Sequence, residues 1–130
     1  MGEAPPPERM DGVGHLARDA ELLKLGTAAA RVGISTDLHL SLGVSQPEEA
    51  RCARQARRLG ISVIRRTTGG AAVLVRPGDL LWTRVLALDD PEVGRDFVRA
   101  YGRLGNGVTA FLREFRADAA WTAPAGLSEE

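Results

Sequence analysis

The sequence is poor in cysteine and lysine, and each shortage excludes a kind of chemistry. Cys52 is the only cysteine among 130 residues, so no disulfide can form within the chain and a cysteine-based metal site is impossible. Its place between charged helical positions favours an incidental role over a catalytic one. Lys24 is the only lysine, and every other basic residue is an arginine. We therefore expect no metal site and no cysteine nucleophile.

The chain also lacks net charge and long apolar runs. Its 17 basic residues balance 17 acidic ones, so no overall field attracts nucleic acid or an anionic membrane. No apolar run approaches the length of a membrane span, and the N-terminal stretch MGEAPPPERMDGVG has no apolar signal-peptide core. We therefore expect a cytoplasmic protein with no membrane partner.

Composition and local pattern predict one globular domain with flexible ends. The chain is 44% hydrophobic and 26% charged, which is typical of an ordinary globular domain. We expect residues 1–12, which carry Pro5-Pro6-Pro7, to lack fixed structure. Residues 13–118 are predicted to form the domain, and residues 119–130 a flexible tail.

Hydrophobic periodicity predicts helices that alternate with strands. Helical spacing indicates helices at about 15–32, 47–59 and 91–116. Gly105-Asn106-Gly107 lies inside the last helix and is compatible with a break or a kink. Strands of one sheet are expected at 37–44, 61–66, 71–76 and 80–88. This order predicts an α+β fold in which a mixed sheet is flanked by helices.

The first predicted strand, residues 37–44, alternates between apolar and polar side chains. Leu40 and Leu42 lie on one face with Leu38 and Val44, whereas His39 and Ser41 lie on the other. That pattern is typical of a strand that is buried on one face only.

The segment IRRTTGGAAVLVRPGD, residues 64–79, carries the most distinctive chemistry. Adjacent glycines let a backbone approach a ligand closely, and N–H groups exposed in such a turn form a concavity that suits anions. Arginines at the strand end add a fork that matches phosphate or carboxylate, and threonines add hydroxyl groups. These features are compatible with a phosphate cradle. They are equally compatible with a plain hairpin that has Gly-Gly in its turn and solvated arginines.

Three segments in order resemble the lipoate–protein ligase family. Arg65-Arg66-Thr67-Thr68-Gly69-Gly70-Ala71-Ala72-Val73 is similar to the family pattern RRxSGGGAV, and Pro77-Gly78-Asp79-Leu80 follows it. Leu42-Gly43-Val44-Ser45-Gln46 is similar to a Leu-Gly-x-x-Gln segment, and Ala17-Arg18-Asp19-Ala20-Glu21-Leu22 to the first helix of the family. The resemblance runs from about residue 15 to residue 116.

This resemblance implies the fold of the N-terminal part of a biotin/lipoate–protein ligase catalytic domain. It also implies that ATP activates lipoate or octanoate as acyl-AMP, or that a carrier donates the acyl group. The group then passes to a lysine of a lipoyl acceptor domain. Arg66 would hold the phosphate beside Thr68, backbone of Gly69, Gly70, Ala71 and Ala72 would line the acyl-adenylate, and Asp79 takes the position of an asparagine. Suggested contacts with the acyl chain are Leu42, Val73 and Leu81.

The sequence departs from the family pattern at three points. Ala71 replaces the third glycine, and Val75-Arg76 replaces a His-Asp pair. The catalytic lysine of the family lies in a later Lys-x-x-Gly segment, and Lys24 cannot replace it in sequence order. No catalytic residue is therefore assigned, and we expect a complementary C-terminal ligase segment or subunit to be needed.

Two other functions remain open from the sequence. The chain could be a non-catalytic protein that binds an acyl ligand or partners a split ligase. A nucleic-acid-binding domain built on the arginines between Arg51 and Arg66 is a remote alternative, because the net charge is zero and no recognition motif is present. We expect no nucleic-acid partner.

Overall fold

A computed structural model of the chain describes residues 5–91 and 93–120. The predicted order of helix, strand, helix, three strands and helix is present, with one additional strand before the first helix and one after it. They are β1 (Glu8–Met10), α1 (Gly12–Lys24), β2 (Ala29–Ser35), β3 (His39–Leu42), α2 (Arg51–Arg58), β4 (Ser62–Arg65), β5 (Val73–Val75), β6 (Leu80–Val85) and α3 (Phe97–Arg113). None of the helices in the described ranges is long and apolar enough to cross a membrane.

The strands form two mixed three-stranded sheets, so the α+β class is confirmed but the expectation of one sheet is wrong. In the first sheet, β2 pairs in parallel with β1 and antiparallel with β6. In the second sheet, β3 lies in the centre, parallel to β4 and antiparallel to β5. Residues 8–10 fall in the segment that was expected to lack fixed structure, yet they form β1.

The first helix was predicted at about 15–32, and only the part up to Lys24 is helical. Helix α1 begins after Asp11, whose carboxylate accepts a hydrogen bond from the Gly14 N–H, and it ends at Lys24. Gly26 has φ +66°, a conformation that glycine adopts readily. Residues 28–32 are rich in alanine and fit a helical spacing. Residues 29–35 nevertheless form β2, because they pair with every residue of β6.

The apolar core of the second sheet lies on one face of β3. Leu40 and Leu42 are buried against Ala53 and Ala56 of α2. The small alanine side chains leave room for the helix to lie close to the strand. Helix α2 is shorter than predicted, because residues 48–49 form a turn before it.

The chain divides into two compact units, Met1–Val85 and Leu86–Glu130, and α3 belongs to the second. Asp96 caps α3 by accepting hydrogen bonds from the N–H groups of Val98 and Arg99, so the helix begins later than residue 91, where it was predicted to start. The helix continues through Gly105-Asn106-Gly107 without a break. Most of the predicted C-terminal tail, residues 121–130, lies outside the described residues.

Candidate functional site

The segment from Arg66 to Ala72 is not a hairpin turn. Strands β4 and β5 lie on opposite sides of β3, so the segment that joins them must cross the end of β3. The Arg66 N–H donates to the Leu42 carbonyl at 2.9 Å, and the Val44 N–H donates to the Thr68 carbonyl at 2.9 Å. We call residues 66–72 the crossing loop. The hairpin interpretation left open by the sequence is therefore wrong.

Gly43 lets the crossing loop lie directly on the end of β3. A Cβ atom at position 43 would collide with the carbonyl oxygen of Gly70. Gly70 itself has φ +97°, which few residues other than glycine adopt. The Leu-Gly step and the Gly-Gly pair, which the sequence places 27 residues apart, therefore belong to a single backbone contact.

The Arg66 side chain hydrogen-bonds both to β3 and to the backbone of the crossing loop. One terminal nitrogen of its guanidinium donates to the carbonyl and the hydroxyl of Ser41, at 2.8 and 3.1 Å. The other donates to the carbonyls of Gly69 and Ala71, at 3.0 and 2.9 Å. These contacts use all four terminal N–H groups and leave the Nε–H. A phosphate would therefore contact the Nε–H, or it would displace one of the loop carbonyls.

Arg65 points elsewhere, as strand alternation requires. Its guanidinium pairs with the Glu48 carboxylate at 2.6 Å and donates to the Gly43 carbonyl at 3.1 Å. Glu48 also pairs with Arg57. The hydrogen bond from Arg65, followed by that from Arg57, lowers the pKa of Glu48 below its ordinary value. Arg65 thus ties the turn before α2 to β4.

Two neighbouring pockets open beside Arg66. The smaller, about 60 Å³, is lined by Arg65, Arg66, Thr67 and Thr68 together with α1. The larger, about 170 Å³, lies among α1, β3, β5 and β6 and is bordered by Arg66 on one side. The structure thus places Arg66 and Thr68, two of the predicted site residues, together in the lining of the smaller pocket.

The other predicted site residues do not line these pockets. Gly69, Gly70 and Ala71 are exposed in the crossing loop, and Ala72 packs against the core that contains Leu40 and Leu42. Asp79 lies in the turn before β6, where its carboxylate accepts from the Arg76 N–H at 2.9 Å and pairs with the Arg76 guanidinium. The first of these contacts is the main reason why the pKa of Asp79 is lowered. Asp79 therefore stabilises a tight turn in this structure.

The residues suggested as acyl contacts fall in different places. Leu42 is fully buried in the core with α2, so it belongs to the core rather than to a pocket. Val73 is half exposed and lines neither pocket. Leu81 lines the larger pocket, beside Trp82.

Both histidines of the chain line the larger pocket, and sequence reasoning missed this. His15 and His39 are 3% and 2% exposed. Each ring lies against a glycine, His39 on Gly12 and His15 on Gly33, where a Cβ atom would collide with it. The polar face of β3, expected to be solvated, is therefore buried. Glycines opposite the two rings were the available signal, but their pairing is visible only in three dimensions.

His15 belongs to a closed polar network. Its Nδ1 is 3.0 Å from the Arg31 guanidinium and its Nε2 is 3.1 Å from the Ile34 carbonyl. Arg31 is nearly buried and pairs with Asp19 at 2.8 Å and Glu8 at 3.4 Å. Every nitrogen of the His15 ring therefore has a partner inside the protein.

His39 is fixed through one nitrogen only. Its Nδ1 lies 2.8 Å from the Asp37 carboxylate, which also accepts from the Gly12 N–H at 3.0 Å and the Ser35 hydroxyl at 3.2 Å. Burial alone would raise the pKa of Asp37, but these hydrogen bonds, that with His39 foremost, lower it below its ordinary value. Asp37 is therefore an ionised acceptor that orients the imidazole.

The residues described by the structure contain no cluster of three or more His, Cys, Asp or Glu side chains that could hold a metal ion. Cys52 is exposed on α2.

The two-sheet fold with a loop crossing a central strand has a solved counterpart. A protein from T. acidophilum, provisionally assigned as a lipoate protein ligase and solved with bound lipoic acid, matches with a TM-score of 0.71 at 22% identity. The match covers 95% of this chain and 55% of that one, so the chain spans about half of its length. The similarity shows that the fold is that of a ligase-type α+β domain.

The family follows from the sequence itself. Residues 35–128 match the model of the lipoyl protein ligase A/B catalytic domain. This chain belongs to that family, as the Arg-Arg-Thr-Thr-Gly-Gly segment predicted. No curated protein matches the chain.

Proposed function

We propose that this chain binds a lipoyl or octanoyl group, activated as acyl-AMP, for attachment to a lysine of a lipoyl acceptor domain. The family supports this proposal, and one observation of the structure carries it. Arg66 and Thr68 line the smaller pocket, Arg66 also borders the larger one, and the neighbouring Gly69 and Gly70 are exposed. Positive charge, a hydroxyl and open backbone are the groups that an acyl phosphate requires.

The reaction has two steps. The carboxylate of the acid attacks the α-phosphorus of ATP, forms the acyl-phosphate bond and releases pyrophosphate. The lysine amine then attacks the acyl carbon, forms an amide, loses a proton and releases AMP. Arg66 would stabilise the negative charge of the phosphate in both steps, because charge-assisted bonds from a preorganised donor are strong. Acceptance of the acyl group from a carrier would use the same site without ATP.

A lysine from outside the 130 residues would complete the site. The only lysine, Lys24, ends α1 and is exposed, and it lines neither pocket. We propose that a Lys-x-x-Gly segment, on the same polypeptide or on a complementary subunit, supplies the catalytic cation. Without that segment the chain would bind the acyl-adenylate but transfer it poorly.

Titration with a non-hydrolysable octanoyl- or lipoyl-adenylate analogue tests this proposal. Arg66→Ala should weaken binding roughly 10- to 150-fold, since a hydrogen bond to a charged group contributes about 1.5–3 kcal/mol. Arg66→Lys should recover part of the loss, because an ammonium lacks the planar fork. Arg58→Ala, an exposed arginine on α2, is the matched control and should bind as the wild type does.

Because Arg66 also holds the crossing loop, the folding of each variant must be measured alongside its affinity. A variant that melts as the wild type does but binds weakly would support a direct contact with phosphate. Equal affinities of wild type and Arg66→Ala would instead assign Arg66 to the loop alone. If the analogue binds neither, the chain is not an acyl-adenylate-binding protein.

A further inference from the structure

The larger pocket is lined by a histidine ring with one nitrogen that the described residues leave without a partner. The Nε2 of His39 makes no hydrogen bond to any described residue, whereas its Nδ1 is bound to Asp37. Fully buried side-chain nitrogens and oxygens in the described ranges all have partners, so Nε2 must be accessible. Since His39 is 2% exposed overall and lines the 170 Å³ pocket, that access is from the pocket.

Asp37 decides what this nitrogen can do. Its ionised carboxylate only accepts hydrogen bonds, so the Nδ1 of His39 carries the proton. In a neutral imidazole the proton on Nδ1 leaves Nε2 with a free lone pair, which makes it an acceptor. The pocket therefore presents an oriented acceptor to whatever it holds.

The neighbouring polar groups do not use that acceptor. The Ser41 hydroxyl, two residues along the same face of β3, accepts from Arg66 at 3.1 Å. Asp19 accepts from Arg31 at 2.8 Å and from the Thr83 hydroxyl at 2.9 Å. Both nitrogens of His15 are engaged. Much of the remaining lining is apolar: Leu16, Ile64, Val75, Leu81 and Trp82.

A pocket for a plain hydrocarbon chain gains nothing from a buried imidazole acceptor, because burying a polar atom without a partner is unfavourable. We propose that this pocket takes an acyl chain that carries a hydrogen-bond donor, an O–H or N–H group, which binds the Nε2 of His39. The proposal rests on the proposed function, and it replaces the plain lipoyl or octanoyl chain with an acyl chain that carries one such donor. Asp37 is then a positioning residue that fixes the tautomer of His39.

Matched ligands distinguish a pocket for a plain acyl chain from a pocket for an acyl chain that carries a hydrogen-bond donor. The probes are non-hydrolysable adenylate analogues of octanoate and of 4-, 6- and 8-hydroxyoctanoate, which differ by one hydroxyl. At least one hydroxylated analogue should bind about tenfold tighter than the octanoyl analogue, because it satisfies a buried acceptor. His39→Phe keeps a ring against Gly12 but removes the acceptor, so it should abolish this preference. Asp37→Asn should reduce it.

Nitrogen-15 NMR of the imidazoles gives a readout that needs no variant. The Nε2 resonance of His39 should shift when the preferred hydroxylated analogue binds, and less when the octanoyl analogue binds. His15, with both nitrogens engaged, is the internal control. If the octanoyl analogue binds as tightly as all three hydroxylated ones, the donor inference is wrong and the acyl-adenylate function stands. If none of the four binds, both are wrong.

Discussion

Both faces of β3 are buried, but they differ in the polarity of their side chains and in what covers them. On one face Leu40 and Leu42 pack against the alanines of α2 in an apolar core. On the other face, His39 and Ser41 lie in a pocket with Arg66. Four consecutive residues, His39–Leu42, therefore separate an apolar core from a cavity to which β3 contributes polar side chains.

The apolar face serves stability, and the polar face is where we propose that the ligand binds. Burial of apolar side chains stabilises the fold in proportion to the area removed from water. Buried polar groups contribute little unless each has a partner, so they are retained where they specify geometry or contact a ligand. The polar face of β3 meets this condition through Asp37 and Arg66, except at the Nε2 of His39.

Truncation on the apolar face should have the largest effect. Leu42→Ala removes a fully buried side chain and leaves a cavity beside Ala53 and Ala56, so the free energy of unfolding should fall by about 2–5 kcal/mol. Urea unfolding of the variant measures the loss. Leu59→Ala, at an exposed leucine, is the control and should change little. A loss below about 1 kcal/mol at position 42 would mean that this face is not the tightly packed core.

The next largest effect on the free energy of unfolding should come from a substitution at the end of β3, where the crossing loop lies against the strand. Gly43→Ala places a methyl group against the Gly70 carbonyl, so the loop must move at a cost of about 1–3 kcal/mol. Affinity for the acyl-adenylate analogue should fall as well, because Arg66 and Thr68 move with the loop.

Gly69→Ala is the matched control for that substitution. A Cβ at position 69 would meet nothing within 4 Å, and the φ of Gly69 is not in the left-handed region. The two glycines lie in the same contact region but differ in available space. If Gly69→Ala proves as harmful as Gly43→Ala, close backbone approach is not what position 43 requires.

Much of the fold could be predicted from local pattern. Alternation identified β3 and the side on which Leu40 and Leu42 are buried, and the Arg-Arg-Thr-Thr-Gly-Gly segment identified the family. The strand β2 was missed because its alanines fit a helical period, and only pairing with β6 decides between the two structures. The position of β3 between β4 and β5 was missed for the same reason, since strand order depends on contacts between distant residues.

The roles of the site residues stay predictions, and the structure shows only where these residues lie. Arg66 and Thr68, which came from the family pattern, both line the smaller pocket. His39 was assigned correctly to the face opposite Leu40, but alternation cannot say whether α1 and β6 cover that face. The sequence also could not show that Arg66 would use its terminal N–H groups on the carbonyls of its own loop.

The paired arginines should respond unequally to substitution, with a smaller effect on stability at Arg65 than at Gly43. Arg65→Ala loses the ion pair with Glu48, and such partly exposed pairs contribute little. Its affinity for the acyl-adenylate analogue should stay close to that of the wild type, whereas Arg66→Ala should lose affinity. A double-mutant cycle with Glu48→Gln isolates the pair. If Arg65→Ala weakens binding as much as Arg66→Ala, the two arginines do not divide their roles between loop and pocket.

The smallest expected effect is the change in the free energy of unfolding at acid pH that comes from Asp37, the partner of His39. The pKa of Asp37 is lowered in the folded protein, so its contribution to stability is fully present above the pKa of the unfolded chain, about 3.9. That contribution is lost as the pH falls through the lower, folded-state pKa. The difference in free energy of unfolding between wild type and Asp37→Asn should therefore be constant from neutral pH into mild acid and shrink below it. Urea unfolding at several pH values measures this, and the dependence should be weaker in a His39→Phe background. A difference that grew as the pH fell would show that His39 and Gly12 do not stabilise the ionised carboxylate.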